Sequence, residues 1–358
     1  MRAFSKKKYA LSEGETSRKY IGALWPRIHR YLTPRKLLNA ARVERESRTR
    51  TVRVRGKPYV LHLEPTNICS VRCPYCRTGA GDNELPNGMM SFASFKRIFD
   101  HLRDDLIMVR LDGAGEPFIN KHISEMISYC HYHGVATTMS TNLQSCDDHD
   151  LEEVVRAGLD YLICSIDGTT QEVYEKYRIK GSLEKCLLNL RSLADIKQRL
   201  GSSTPFTDWQ FLIFDHNLHQ VEEVKRMVVG SGADRLSLND VRPETWKKII
   251  AGEPPHTCYW FYKAINVTYD GHVRACCSDG MGHAFTFGDL VELGFDAVWN
   301  GEKQMQARRL FVDAREKPPV LEDAKCVATC AMVNDSRRRH GLPQIELDLT
   351  RVPPTGIA

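Results

Sequence analysis

From residue 59 onward the chain alternates short apolar runs with longer segments whose apolar side chains recur every three or four positions. "YVLHLEP" (59–65), "LIMVRLDG" (106–113), "VATTMS" (135–140), "LDYLICSIDG" (159–168), "DWQFLIF" (208–214) and "DRLSL" (234–238) read as strands. Between them, "SFASFKRIFDHL", "HISEMISYCHYHG", "DLEEVVRAG", "SLEKCLLNLRSLADIKQRLG" and "LHQVEEVKRMVVGSG" read as helices, several of them stopped by glycine. A strand that reaches its successor through a helix pairs with it in parallel, so six such units imply an α/β fold with a parallel sheet. An open sheet and a partial barrel both satisfy the pattern. In either, chemistry gathers at the C-terminal strand ends.

With 358 residues, 42% of them hydrophobic, the chain can bury a large core and has room for one big domain and a smaller one. No stretch approaches the roughly eighteen uninterrupted apolar residues of a membrane span, and the N-terminus lacks the apolar core of a secretory signal, so a cytoplasmic location is expected. The formal charge of +5 is unevenly spread. Residues 1–57 hold 17 Lys or Arg against four Glu and no Asp, making a basic, helical N-terminal arm on a mildly acidic body. Its stretch "RKYIGALWPRIHRYL" reads as an amphipathic helix interrupted at Pro26. Such a segment more often packs on its own domain than contacts a membrane surface, nucleic acid or an acidic redox partner.

Twelve cysteines would suit a disulfide framework in a small secreted protein, and this chain has neither trait, so metal or redox use is the better reading. Cys130, Cys146, Cys164 and Cys186 stand singly and read as small buried hydrophobes. The others cluster. "LEPTNICSVRCPYC" (63–76) places Cys69, Cys73 and Cys76 on one loop directly after the first strand. A structural zinc site wants four ligands, and no clear fourth thiol or imidazole stands nearby in sequence. Three thiolates on one loop suit a four-iron cluster with one iron left open.

The spacing of three and then two residues, with Tyr75 before the third cysteine, resembles the signature of the radical S-adenosylmethionine (SAM) superfamily. The resemblance implies a [4Fe–4S] cluster whose open iron binds the amino and carboxylate groups of SAM. It also implies that one electron cleaves SAM to a 5′-deoxyadenosyl radical, which takes a hydrogen from the substrate. Further segments resemble family motifs in the right order, each at a strand end. "DGAGEP" (112–117) is similar to the glycine-rich segment that accepts the SAM amino group, which maps onto Ala114, Gly115 and Glu116, with alanine where the family usually has glycine. "STN" (140–142) makes Asn142 a ribose contact, and "CSIDG" (164–168) carries Ser165 and Asp167 to the cofactor. "YEKYR" follows, with Arg178 in reach of the SAM carboxylate. The implied fold is a partial (β/α)6 TIM-like barrel over residues 58–245.

The C-terminal cysteines resemble the SPASM/twitch extension, which holds auxiliary iron–sulfur clusters beside such a barrel. Seventeen residues separate Cys258 from Cys276, and "CVATC" supplies Cys326 and Cys330. Positions 317 and 320, where a full SPASM set would add cysteines, hold Lys317 and Val320, and no cysteine follows Cys330. Cys258, Cys276, Cys326 and Cys330 therefore suffice for one auxiliary [4Fe–4S] cluster, with Cys277 spare. A four-cysteine zinc site shares the same ligand type. The extension spans residues 246–340, with a tail at 341–358.

A fully ligated second cluster suits an electron conduit, which points to oxidation of a small sugar, polyol, aminocyclitol or nucleotide-sugar, with flavodoxin or ferredoxin as electron donor. His62, Glu64, Arg110, Asp112 and Gln210 face inward by strand alternation. His216, Asn217, Asn239, Asp240 and Arg242 follow the fifth and sixth strands. Asp240, His216 and Glu64 are the candidate bases for deprotonating a substrate radical. Two alternatives stand beside this reading. One is a radical SAM enzyme maturing a ribosomal peptide, which usually carries a winged-helix recognition domain that residues 1–57 are short for. The other is a structural zinc protein with a nucleic-acid-binding arm, whereas the enzyme readings call for no nucleic-acid partner.

Overall fold

β-Branched and apolar runs become strands, and the segments between them become helices opened by capping side chains. The computed structural model describes residues 11–13, 24–81, 85–242, 258–275, 286–313, 337–338 and 340–341. Among these, nine strands form one sheet: β1 Leu11–Glu13, β2 Val60–Leu63, β3 Met108–Leu111, β4 Ala136–Thr141, β5 Tyr161–Ser165, β6 Phe206–Ile213, β7 Arg235–Asp240, β8 Ala264–Val267 and β9 Val273–Arg274. Their order is β1-β7-β6-β5-β4-β3-β2-β8-β9, parallel throughout except for the β8–β9 hairpin. All six expected strands are present as β2 to β7, consecutive in space as in sequence.

The crossover helices are Phe92–Asp100, Ile123–Tyr132, Asp148–Arg156, Leu183–Arg199 and Val221–Met227. Ser91 and Ser182 cap two of them by accepting from the backbone N–H three residues on, and Asp147 with Asp150 forms a reciprocal capping box on a third. Each such cap contributes about 1 kcal/mol. Cys130, Cys146, Cys164 and Cys186 are all buried, as small apolar fillers should be.

The register sorts the sheet into two faces. On one, Leu61, Leu63, Val109, Leu111, Met139, Leu162, Trp209 and Phe211 are buried in the main hydrophobic core. On the other, His62 pairs with Arg110 and with Asn266, Asn266 with Arg274, and Ser165 with Gln210. Arg110, Ser140, Gln210, Asn266 and Arg274 are half-buried, and all belong to this second face. A continuous apolar face beside a polar, half-open one is the division between helix-covered exterior and lumen of a partial barrel.

Three expectations are corrected by the structure. The arm is not purely helical, because Leu11–Glu13 pairs in parallel with Leu236–Leu238 of β7. Nor does the arm break at Pro26. Residues 24–28 are helical through the proline, and the break falls at Leu32 and Thr33, where Thr33 caps the helix Pro34–Arg48 with Pro34 in its first turn. Thr33, accepting from the Lys36 N–H, opens a new helix there, so the cap and not Pro26 sets the break. The C-terminal extension also begins inside the barrel sheet instead of beside it, since β8 pairs with β2 from Val60 to Leu63.

The described part of the arm lies across the N-terminal strand ends. Arg30 pairs with the buried Asp160, which also accepts from Tyr31 at 3.1 Å. Arg35 reaches Asp105 at 3.1 Å, Lys36 donates to the Gly134 carbonyl, and Glu44 meets Lys263 at 2.8 Å. These partners precede β5, β3, β4 and β8, so this part of the arm floors the barrel opposite the cysteine loop, and two of its cations, Arg30 and Arg35, are engaged with acidic groups of the body.

Candidate active site

The cysteine loop leaves the C-terminal end of β2 and is held by backbone contacts. The Arg72 N–H donates to the Ile179 carbonyl at 2.9 Å, and the Cys76 N–H donates to the Cys73 carbonyl at 3.1 Å. A Cβ on Gly79 would lie 2.4 Å from the Cys73 nitrogen and oxygen, so the turn behind the third cysteine admits only glycine. Cys73 is buried, and Cys69 and Cys76, half-buried, pack against Val71, Tyr177, Leu212, Phe214 and Val241. Tyr75 stacks on Tyr177 and Phe214, with ring centroids 6.0 and 5.9 Å away, while 54% exposed.

Three strand ends close around this loop. The glycine-rich turn after β3 approaches so near that a Cβ on Gly115 would lie 2.2 Å from the Thr66 carbonyl oxygen. Ala114 donates its N–H to Glu64 Oε2 at 3.1 Å. Glu116 is buried and turned toward the protein, accepting from Thr141 Oγ1 at 2.7 Å and from the Asn142 N–H at 2.8 Å. Burial pushes its carboxyl up to about 7 despite these donors. Asn142, at the end of β4, donates from Nδ2 to Cys69 Sγ at 3.4 Å. Ser165, at the end of β5, lies 3.4 Å from Ser140 across the lumen face. Asp167 is fully buried and pairs with Arg178 Nε at 2.7 Å, while Arg178 Nη1 points at Cys73 Sγ from 3.7 Å.

The surroundings fit a thiolate cluster. Burial pushes the Cys69 thiol up to about 11 and raises the Cys73 thiol as well, so the Cys69 thiol stays protonated at neutral pH until a metal displaces the proton. Asn142 and Arg178 aim donors at two of the sulfurs, the contacts that stabilise metal-bound thiolates. Among the described residues no three His, Cys, Asp or Glu side chains converge as one metal ion requires.

A sequence model of the radical SAM superfamily matches residues 63–228, from β2 through the helix before β7. The chain belongs to the radical SAM superfamily. A second model, of the SPASM iron–sulfur cluster-binding domain, matches residues 258–331 and encloses Cys258, Cys276, Cys326 and Cys330. This radical SAM enzyme accordingly works with [4Fe–4S] clusters and SAM. It is 26% identical over 195 residues to the tungsten-containing aldehyde ferredoxin oxidoreductase cofactor-modifying protein of Pyrococcus furiosus, covering 53% of each chain. It is 24% identical over 202 residues to the PqqA peptide cyclase of Bradyrhizobium diazoefficiens, covering 56% of this chain and 51% of that one. The chain thus spans about half the length of these curated relatives. In fold it resembles Streptococcus suis SuiB bound to precursor peptide SuiA, with a TM-score of 0.59 at 14% identity over 87% of this chain and 79% of that one. No described helix of the radical SAM enzyme is long and apolar enough to cross a membrane.

The candidate bases separate. Asp240 ends β7 and His216 follows β6, whereas Glu64 follows β2 at the other end of that run. Arg242 holds Asp240 from Nε at 2.9 Å and Nη2 at 2.7 Å. His216 stacks on Phe214, and burial lowers its pKa. Asn217 serves the protein, donating to the carbonyls of Asp167 and Leu212 at 2.9 and 2.8 Å. Glu64 lies within the lumen wall, its carboxyl pushed up to about 7 by burial against the pull of Arg274 and the Ala114 N–H. Beside it the buried His62 Nε2 meets Asp112, and burial of Asp112 is overcome by Arg110 and His62, which hold its carboxyl well below the usual range. The sequence reading missed Ser140, Asn266 and Arg274 on this wall; for Ser140 the available signal was its period-two spacing from Asn142, and for the other two there was none. Of the proposed auxiliary ligands, Cys258 is buried, while Cys276, Cys326 and Cys330, with the spare Cys277, lie outside the described residues, as do Lys317 and Val320.

Proposed function

We propose that this radical SAM enzyme modifies a peptide, with its hydrogen-abstraction site in the polar lumen of the barrel. The observation that carries the reading is its likeness to a peptide cyclase over the cluster-bearing half, matched in fold by an enzyme solved with its precursor peptide. These relatives favour a peptide over the sugar, aminocyclitol or nucleotide-sugar expected from the cysteine pattern. Cys69, Cys73 and Cys76 hold the SAM-cleaving cluster, while Cys258, Cys276, Cys326 and Cys330 hold one auxiliary cluster within residues 246–340. Bound together, the first cluster and SAM supply the carbon radical that removes a substrate hydrogen.

The chain's own part is to bind, orient and take up a proton. Tyr75, Ala114, Gly115, Glu116, Asn142, Ser165, Asp167 and Arg178 shape the SAM pocket, with Glu116 acting by fixing the C-terminal end of β4. Ser140, Gln210 and Asn266 offer the paired donors and acceptors that peptide groups require. Among the three candidate bases, Glu64 is favoured because its carboxyl titrates near neutral pH inside the lumen. A one-electron donor of the flavodoxin or ferredoxin class completes the scheme.

The test is 5′-deoxyadenosine release by the anaerobically reconstituted protein with SAM and dithionite, with pools of peptides, sugars and nucleotide sugars supplied separately. Stimulation by the peptide pool, with a mass change in one peptide, is the expected result. Stimulation by a sugar pool alone would return the substrate to the small-molecule class.

A further inference from the structure

Arg178 is held at the cysteine loop by contacts made within the protein itself. It follows the short helix Gln171–Glu175, yet its side chain is only 12% exposed and its guanidinium lies 5.1 Å above the Tyr177 ring. Nε is bound to Asp167 Oδ2 at 2.7 Å and Nη1 faces Cys73 Sγ at 3.7 Å. Asp167 is itself immobilised, since its Oδ1 accepts the Leu212 N–H at 2.7 Å and its carbonyl accepts Asn217 Nδ2 at 2.9 Å. A fixed anion thus aims a full cation at one sulfur of the loop. At Cys69 the corresponding donor is the uncharged Asn142 amide, at 3.4 Å.

We propose that the Asp167–Arg178 pair sets the reduction potential of the cluster held by Cys69, Cys73 and Cys76, an inference that rests on the reading of that loop as a cluster site. Reduction adds one electron from an external donor, with no bond made or broken. A cation beside the thiolates favours the more negative, reduced state and raises the potential, and a carboxylate opposes it. In a buried, weakly screened site a full charge outweighs an amide dipole. The pair therefore sets the potential by difference: Arg178 pulls it up and Asp167 holds it back.

The experiment is an anaerobic redox titration of the reconstituted full chain without SAM, followed by the electron paramagnetic resonance signal of the reduced cluster. The Cys69→Ala, Cys73→Ala, Cys76→Ala triple variant serves to subtract any auxiliary cluster. Asp167→Asn should raise the midpoint and Arg178→Gln should lower it. The double variant should return close to wild type, and Arg178→Lys should lie nearer to wild type than Arg178→Gln. If Asp167→Asn does not fold, the Arg178→Gln and Arg178→Lys variants decide the matter. Equal midpoints in protein whose cluster is present by iron content and resonance signal would overturn the proposal, as would shifts of one sign in both single variants. A wild-type chain that binds no iron at the loop would overturn the cluster reading itself, a different and separable failure.

Discussion

Around the cysteine loop Glu116 and the Asp167–Arg178 pair are turned inward onto the protein, whereas along the lumen face a row of polar side chains stands half-open beside the buried His62, Glu64 and Asp112. Glu116 is committed to Thr141 and Asn142, and Asp167 to Arg178 and Leu212. Arg110, Ser140, Gln210, Asn266 and Arg274 keep part of their surface accessible along the barrel wall. The difference separates two kinds of site. A pocket for an occupant of fixed shape can satisfy its own polar groups and hold its donors in advance. A wall that receives a variable substrate keeps donors and acceptors exposed until the substrate pairs with them.

Replacing Cys69, Cys73 and Cys76 by alanine should have the largest effect, abolishing loop-bound iron and reducing 5′-deoxyadenosine release to background. Iron analysis and product assay check it. Next comes Glu116→Ala, which leaves the Thr141 hydroxyl and the Asn142 N–H without their buried acceptor at a cost of about 1–3 kcal/mol each. Urea denaturation should show the loss, accompanied by weaker SAM binding, and an unchanged midpoint would mean that the pocket is not prepaid by its own bonds.

Glu64 sharpens the lumen side. Its folded pKa is raised from 4.5 to about 7, so between those values the folded chain holds a proton that the unfolded chain has released. Wild-type stability contributed by this group therefore falls as pH rises through that window. Glu64→Gln should gain on wild type across it, by on the order of 1–3 kcal/mol, and then run parallel above it. Denaturation curves between pH 5 and pH 8 that stay parallel throughout would contradict a strained carboxyl there. Gln210→Ala should do least, raising the KM for a peptide substrate several-fold while the iron content stays at the wild-type level. A full loss of iron in that variant would erase the distinction between pocket and wall.

The pocket was largely legible in the sequence because its residues sit in contiguous loop motifs whose order matches the strand order. Cys69, Cys73, Cys76, Gly115, Asn142 and Arg178 all converge as their motifs imply. The wall was only half legible, since its members are scattered over six strands and the face of each depends on register. His62, Arg110 and Gln210 were reachable by alternation, but Asn266 and Arg274 come from a hairpin in the C-terminal extension, which nothing local ties to β2. The three-residue strand β1 was invisible for a similar reason: so short a segment carries no periodicity, and its pairing with β7 is decided by tertiary contacts.

The docking of β8 against β2 reaches beyond the arrangement of the lumen. β2 is the strand from which the cysteine loop springs, and its second neighbour arrives only with residues 264–267. A ribosome that has released the first 250 residues has therefore made a barrel whose cysteine-bearing strand is an open border, with N–H and C=O groups bare on one side. Such a border recruits strands from other chains. Shortened forms that stop before β8 should clump during synthesis instead of yielding a smaller working enzyme, and the extension serves as the seal on that border whatever else its cysteines hold.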